Sequence, residues 1–197
     1  KNLKKGICPF YEPGINSLLE KHTAKTKLLS ISSSLSESMD KANVVFITVG
    51  TPTKELQDEA DLTAVYKVSE EISENIKSYC LIVTKSTVPV GTTREVHNII
   101  SSKVDNSKFD TASNPEFLRE GSAINDFMRP DRIIIGTDNP KAEKIMRELY
   151  RPLFLLETPI VATSIESAEI IKYASNSFLA TKISFINQVS DLCESAG

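Results

Sequence analysis

Along the first 160 residues, short apolar runs alternate with segments of helical period. The clearest run is residues 44–49, Val-Val-Phe-Ile-Thr-Val. It is rich in β-branched residues and apolar on consecutive positions, as in a strand covered on both faces. Residues 81–84 and 132–136 form two more such runs, and 28–31, 109–112 and 160–162 are weaker candidates. Between them, Leu62, Val65, Val68, Ile72 and Ile76 recur at spacings of three and four, one face of a helix opened by Asp61. Residues 92–102 and 140–150 read as further helices. The Ser-rich tract 30–38 holds a turn and the N-cap of a short helix. Strand and helix in alternation predict an α/β fold, a doubly wound sheet with parallel strands.

The pattern changes near residue 163. From 164 to 196 there is neither Gly nor Pro, and Ile171, Phe178, Phe185 and Leu192 recur every seven residues with Leu179, Ile186 and Cys193 beside them. This predicts one long helix with a broad apolar face, of the kind that bridges domains or builds a dimer interface. The division expected is therefore a sheet domain over 1–162 and a long central helix over 163–197.

Composition narrows the classes. The chain has 197 residues, 40% of them apolar and 25% charged, enough for a sizeable core. A net charge of −3 without a long Lys/Arg run argues against nucleic acid as the partner. No apolar stretch has the length of a membrane span, and the basic start has no signal-type apolar run behind it. The three cysteines, Cys8, Cys80 and Cys193, have neither metal-type spacing nor an even count, which fits a reducing cytoplasmic setting. No metal cluster and no Ser-His-Asp grouping is expected, and His22 and His97 lie on polar helical stretches as surface residues.

Candidate chemistry sits at predicted strand ends, where open α/β sheets bind ligands. Gly50-Thr51-Pro52-Thr53 follows the first strand directly. It reads equally as a ligand loop or as a strand-ending turn. Lys85-Ser86-Thr87-Val88-Pro89-Val90-Gly91 follows the next strand, with two hydroxyls at the position for a ligand and Thr92 placed to cap the following helix. Glu116 and Glu120 stand four apart after the third strand and share a face if the segment is helical. They are either an acid/base pair or a solvated helix start. Lys172 and Asn176 are also four apart, on an apolar stripe of the long helix with Leu179, Ile183 and Ile186. A lysine there either snorkels or is desolvated and paired with an acid, Glu120 or Glu116.

Taken in order, Tyr11-Glu12-Pro13-Gly14, Gly50-Thr51-Pro52-Thr53, Lys85 to Gly91, Asn114-Pro115-Glu116-Phe117-Leu118-Arg119-Glu120-Gly121, Pro130-Asp131-Arg132 and Lys172-x-x-x-Asn176 resemble the UDP-glucose/GDP-mannose dehydrogenase family across essentially the whole chain. The segment 115–121 leading into 130–132 resembles the UDP-glucose branch most. The resemblance implies a cytosolic enzyme that oxidises the C6 alcohol of UDP-glucose to a carboxylate with two NAD molecules in sequence. It implies that Val49, Gly50, Thr51, Pro52, Thr53, Ser86, Thr87, Val88 and Glu120 line the NAD site. Glu116, Phe117, Leu118, Arg119 and Glu120 would contact the sugar nucleotide, partly through backbone groups. Lys172 and Asn176 would bind the reacting sugar and stabilise charge on its oxygen. Thr87 and Glu120 would position water, and Glu116 would be the general base of the hydrolytic step.

Two family features are missing. The chain has no Gly-x-Gly-x-x-Gly turn to hold a pyrophosphate at a helix N-terminus. None of its cysteines matches the family's nucleophile, which lies beyond the long helix. The fold expected is thus an incomplete Rossmann-like sheet followed by the central helix, in a polypeptide that does not complete the reaction alone. Three other readings remain: a dehydrogenase of GDP-mannose or a UDP-N-acetyl amino sugar, a hydroxyacid dehydrogenase of the 6-phosphogluconate type, and a non-catalytic module that forms a homodimer through the long helix.

Overall fold

The computed structural model describes residues 3, 6–54, 59–154 and 158–197. Five strands, β1 (Val44–Ile47), β2 (Cys80–Thr84), β3 (Phe109–Ser113), β4 (Ile133–Gly136) and β5 (Ile160–Thr163), form one sheet in that sequential order. The helices are α1 (Ile15–Glu20), α2 (Leu35–Met39), α3 (Thr63–Ser73), α4 (Thr92–Ser101), α5 (Ala123–Met128), α6 (Pro140–Phe154) and α7 (Ile165–Ala196).

Successive strand residues serve opposite faces, which is why β1, β2 and β4 are nearly continuous apolar runs. Cys80 and Ile82 of β2 pack with Val65 and Ile72 of α3 and Val96 and Ile100 of α4. Leu81 and Val83 face the other way, onto Ala142, Met146 and Tyr150 of α6. The sheet is therefore covered on both sides. α3 begins where Asp61 Oδ1 accepts the Thr63 N–H at 2.9 Å, and α2 where Ser34 caps Glu37, as the Ser-rich tract predicts.

Three expectations are corrected. β3 and β4 pair antiparallel, through Ser113 and Gly136, while β1–β2, β2–β3 and β4–β5 are parallel. The β3–β4 connection carries only the six-residue α5, none of whose residues is buried, so no helix returns the chain across a sheet face. Residues 28–31 form no strand. Lys27 turns the chain at φ 54°, and the Leu29 N–H is spent on the His22 carbonyl at 3.0 Å. Thr92 does not cap α4: the cap position is Gly91 at φ 94°, and the Thr92 hydroxyl donates to the Pro89 carbonyl at 2.7 Å.

α7 is capped by Ser164, whose Oγ accepts the Ser167 N–H. Only its first two turns are packed, through Ile165, Ala168, Glu169 and Lys172. Beyond them Phe178, Leu179, Phe185, Ile186 and Leu192 are all exposed, so the apolar face anticipated from the heptads is uncovered in this chain. No helix is long and apolar enough to cross a membrane among the described residues.

Candidate functional site

The C-terminal ends of β1, β2 and β3 lie side by side, so the loops that follow them share one edge of the sheet. The first two loops are bonded together. The Lys85 and Ser86 N–H groups both donate to the Ile47 carbonyl, at 2.9 and 3.1 Å. Ser86 Oγ donates to the Val49 carbonyl, and Thr51 Oγ1 to the Thr87 carbonyl, each at 2.7 Å. Ser86 and Thr51 thus spend their protons on structure. Thr87 is half-buried, and its hydroxyl makes no hydrogen bond among the described residues. Val88 is in the apolar core, which leaves only its backbone for a ligand. Gly50 is exposed, and a Cβ added there meets nothing within 4 Å. Pro52 and Thr53 are exposed, the Pro52 carbonyl accepts the Asp61 N–H, and Thr53 forms an antiparallel bridge with Ala60.

Segment 115–119 is an irregular loop rather than a helix and turns at Glu120, so the helical spacing that would place the two acids on one face is not formed. Glu116 turns back, accepting the Leu118 N–H on Oε2, and presents Oε1 to Lys172 Nζ at 3.1 Å. Glu116 is therefore the acid that pairs with Lys172. That lysine is only 6% exposed and stands 5.3 Å from the Phe117 ring centroid. Glu120 and Asn176 are exposed and form no side-chain hydrogen bond or ion pair among the described residues. Arg119 is held by Asp126 in a two-pronged ion pair at 2.7 and 3.0 Å. Glu12, buried beside the following turn, accepts the Gly121 N–H at 2.9 Å, which accounts for the Tyr-Glu-Pro-Gly loop as an anchor for this segment.

Behind Glu116 lies a polar cluster that sequence reasoning missed. Lys85 Nζ donates to Asn114 Oδ1 at 3.2 Å and lies 3.3 Å from the Tyr150 hydroxyl, which itself donates to Asn114 Oδ1 at 2.6 Å. Asn114 Nδ2 donates to the Ile134 carbonyl, so Asn114 joins β3 to β4 and α6. A cavity of about 460 Å³ opens here, lined by Lys85, Glu116, Phe117, Arg119, Arg132 and Tyr150 among others. None of Val49 to Thr53 or Ser86 to Val88 lines it. The available signal was position: Lys85 directly follows a fully buried strand, and Tyr150 falls on the α6 stripe.

Burial pushes the Lys85 ammonium down to about 8, with the Lys172 charge acting the same way and Glu116 opposing both. Burial also pushes the Tyr150 hydroxyl up to about 12. Because the unfolded chain holds the Lys85 proton more tightly, this group lowers stability fully below about pH 8. That cost is relieved as pH rises from about 8 towards the unfolded value near 10.5. The unfolding free energy of the wild type relative to Lys85→Met should therefore shift in the wild type's favour across that window. Urea titrations at several pH values check this, and a flat difference would show that Lys85 does not titrate in the folded state as its burial requires.

The cysteines offer no activated thiol at this site. Cys80 is a core residue of β2, where burial pushes its thiol up to about 11, Cys193 is exposed on α7, and Cys8 lies in the segment before α1. His22 and His97 are half-buried rather than surface residues. His22 Nδ1 meets Thr26 Oγ1, and His97 stacks 4.9 Å from Phe109. Among the described residues no group of His, Cys, Asp and Glu could hold a metal ion.

The architecture is thus an α/β sheet whose strand-end loops share one edge, running into a long helix whose buried Lys172 pairs with Glu116 of the loop after β3. The chain belongs to the UDP-glucose/GDP-mannose dehydrogenase family: the family's NAD binding domain matches residues 1–154 and its central domain residues 166–197. NAD is accordingly the cofactor of the matched domain. The chain is 47% identical to a UDP-glucose 6-dehydrogenase of Rhizobium meliloti over 99% of its length, covering 45% of that protein. It is 44% identical to UDP-glucose 6-dehydrogenase TuaD of Bacillus subtilis over all of its length and 42% of that protein. Among solved structures, a UDP-glucose dehydrogenase from Pyrobaculum islandicum superposes with a TM-score of 0.89 at 38% identity, over 95% of this chain and 43% of that one. A ternary complex of GDP-mannose dehydrogenase from Pseudomonas aeruginosa superposes at 0.88 with 34% identity, over 94% and 43%. The chain thus spans less than half the length of these relatives.

Proposed function

We propose that the protein containing this chain oxidises UDP-glucose at C6 to UDP-glucuronate with NAD. The observation that carries the site assignment is the pairing of buried Lys172 with half-buried Glu116, which unites the long helix with the strand-end loop. NAD supplies the hydride acceptor. Open space over Gly50 and the Thr87 hydroxyl suit a cofactor lying against the first two loops, with Val49, Thr51, Pro52, Thr53, Ser86 and Val88 around it, mostly through backbone.

Lys172 stabilises the negative charge that develops on the sugar oxygen, in surroundings where a charge acts strongly. Glu116 holds the ammonium in place and accepts a proton in the hydrolytic step. Asn176, one turn further along α7, orients the same sugar. The backbone of Phe117, Leu118, Arg119 and Glu120 contacts the sugar nucleotide, and Thr87 and Glu120 position water. Residues 1–162 form the NAD-binding part and 163–197 open the central domain. The uncovered face of α7 pairs with a second copy in a homodimer, and the free cysteines suit a cytoplasmic setting.

A GDP-mannose dehydrogenase is the second reading, favoured by the closeness of the Pseudomonas aeruginosa structure. The names of the relatives at 44–47% identity favour UDP-glucose. Steady-state assays of the full-length protein separate the two. kcat/KM for UDP-glucose should exceed that for GDP-mannose by at least about 100-fold, a difference of about 2.7 kcal/mol. The reverse preference would refute the assignment.

A further inference from the structure

α7 carries a second buried ionisable side chain that the reaction does not use. Glu169 is 2% exposed and forms no ion pair with a cation among the described residues. Its partners are backbone groups of another helix. Oε2 accepts the Gly91 N–H at 2.7 Å and Oε1 the Thr93 N–H at 2.8 Å. These are amides at the start of α4, where four N–H groups lack intrahelical partners and the helix dipole favours an anion. Gly91, at φ 94°, and Thr92, whose hydroxyl is turned to Pro89, leave α4 without a side-chain cap of its own. A carboxylate from α7 takes that place.

The spacing on α7 gives this contact a consequence. Residues three apart lie on one helix face, about 4.5 Å along the axis, so Glu169 and Lys172 are neighbours on the side packed against the domain. The loop holding Ser86 and Thr87 ends at Gly91, where Glu169 grips. One carboxylate thus joins the loop after β2 to the helical turn that carries Lys172. On the outside, Arg94 ties α4 to Glu166 at 2.6 Å and to Asp138, but these side chains are close to half exposed, where ion pairs contribute little.

We propose that Glu169 is a positioning residue for Lys172: by holding the first amides of α4, it sets where the Lys172 ammonium stands relative to the loop after β2 and to Glu116. The proposal rests on the reading of Lys172 as the cation at the reacting oxygen. It is tested in the full-length protein with Glu169→Gln, which keeps the size but turns an amide towards one N–H, and with Arg94→Gln, which removes only the outer tie. Three quantities are measured: amide exchange at Gly91 and Thr93, acetylation of Lys172 by acetic anhydride read by peptide mass spectrometry, and kcat with UDP-glucose and NAD.

Glu169→Gln should speed exchange at both amides at least tenfold, raise Lys172 acetylation severalfold and lower kcat at least tenfold. Arg94→Gln should leave all three within about twofold. If exchange rises while acetylation and kcat stay at wild-type values, Glu169 is only a cap and the proposal fails. If exchange does not rise, the grip itself is refuted. A wild type that does not turn over UDP-glucose would overturn the proposed function, while exchange and acetylation would still decide the role of Glu169. Should Gln unfold the protein, Glu169→Asp, which keeps the charge one methylene short, is read in the same way.

Discussion

Lys172→Ala in the full-length protein should lower the rate of NADH formation by on the order of 10²- to 10³-fold, the loss typical of one preorganised oxyanion partner. Lys172 is 6% exposed, and its ammonium stands 3.1 Å from Glu116 and over the face of Phe117. Water screens it poorly there, so its effect on a developing oxyanion is large. It is also a group already in place before substrate arrives, because Glu116 orients it. Ala removes the charge and leaves Glu116, still partly buried, without its partner. The fold should survive, since α7 keeps Ile165 and Ala168 against the sheet. Single-turnover kinetics with far-UV circular dichroism as the folding control decide the matter. A near-normal rate in a folded variant would return Lys172 to a structural role.

Gly136→Ala should destabilise the protein by about 3 kcal/mol or more, at the upper end for overpacking. Gly136 ends β4 where α7 crosses it. A Cβ there would stand 2.5 Å from the Ala168 Cβ, 2.7 Å from the Ser164 carbonyl oxygen and 3.0 Å from the Ile165 Cα. Two of those atoms are backbone at the start of a helix, so no side chain can rotate away. α7 must move, and with it Glu169 and Lys172. Gly50→Ala is the contrast, because open space surrounds that position and the change should stay within about 1 kcal/mol. Urea denaturation of both variants measures the difference. Adding Ala168→Gly to Gly136→Ala should recover only part of the loss, since the Ser164 oxygen remains. Equal stabilities for the two single variants would mean that α7 does not seat on Gly136.

Much of the fold was legible because strands buried on both faces leave an unmistakable apolar run, as in 44–47, 80–84 and 133–136. β3 was weak in sequence for a physical reason: its Asp110 is bonded to Tyr79 and Asn139, a partner set no local pattern announces. The direction of β4 was misread because alternation of strands and helices implies crossovers, and α5 is a helix that makes none. At the site, the choice between Glu116 and Glu120 as the partner of Lys172 stayed open because spacing along the chain does not say which acid of a distant loop reaches the helix. The segment is an irregular loop, and Glu116 is the acid that meets Lys172. Lys85 was visible only as a letter in a loop motif. Its pressure towards neutrality comes from burial, with the Lys172 charge acting the same way, and no local pattern announces either.

By itself the sequence determined the order of the main strands and helices, the two-sided burial of β2 and β4, the long helix and the family, because these depend on periodicity and on ordered local motifs. Only the tertiary structure decided the antiparallel β4, the pairing of Lys172 with Glu116, the capping of α4 by Glu169 and the polar cluster behind the site. Each of these depends on where two distant backbones meet, and a buried charge finds its partner by proximity in space rather than by spacing along the chain.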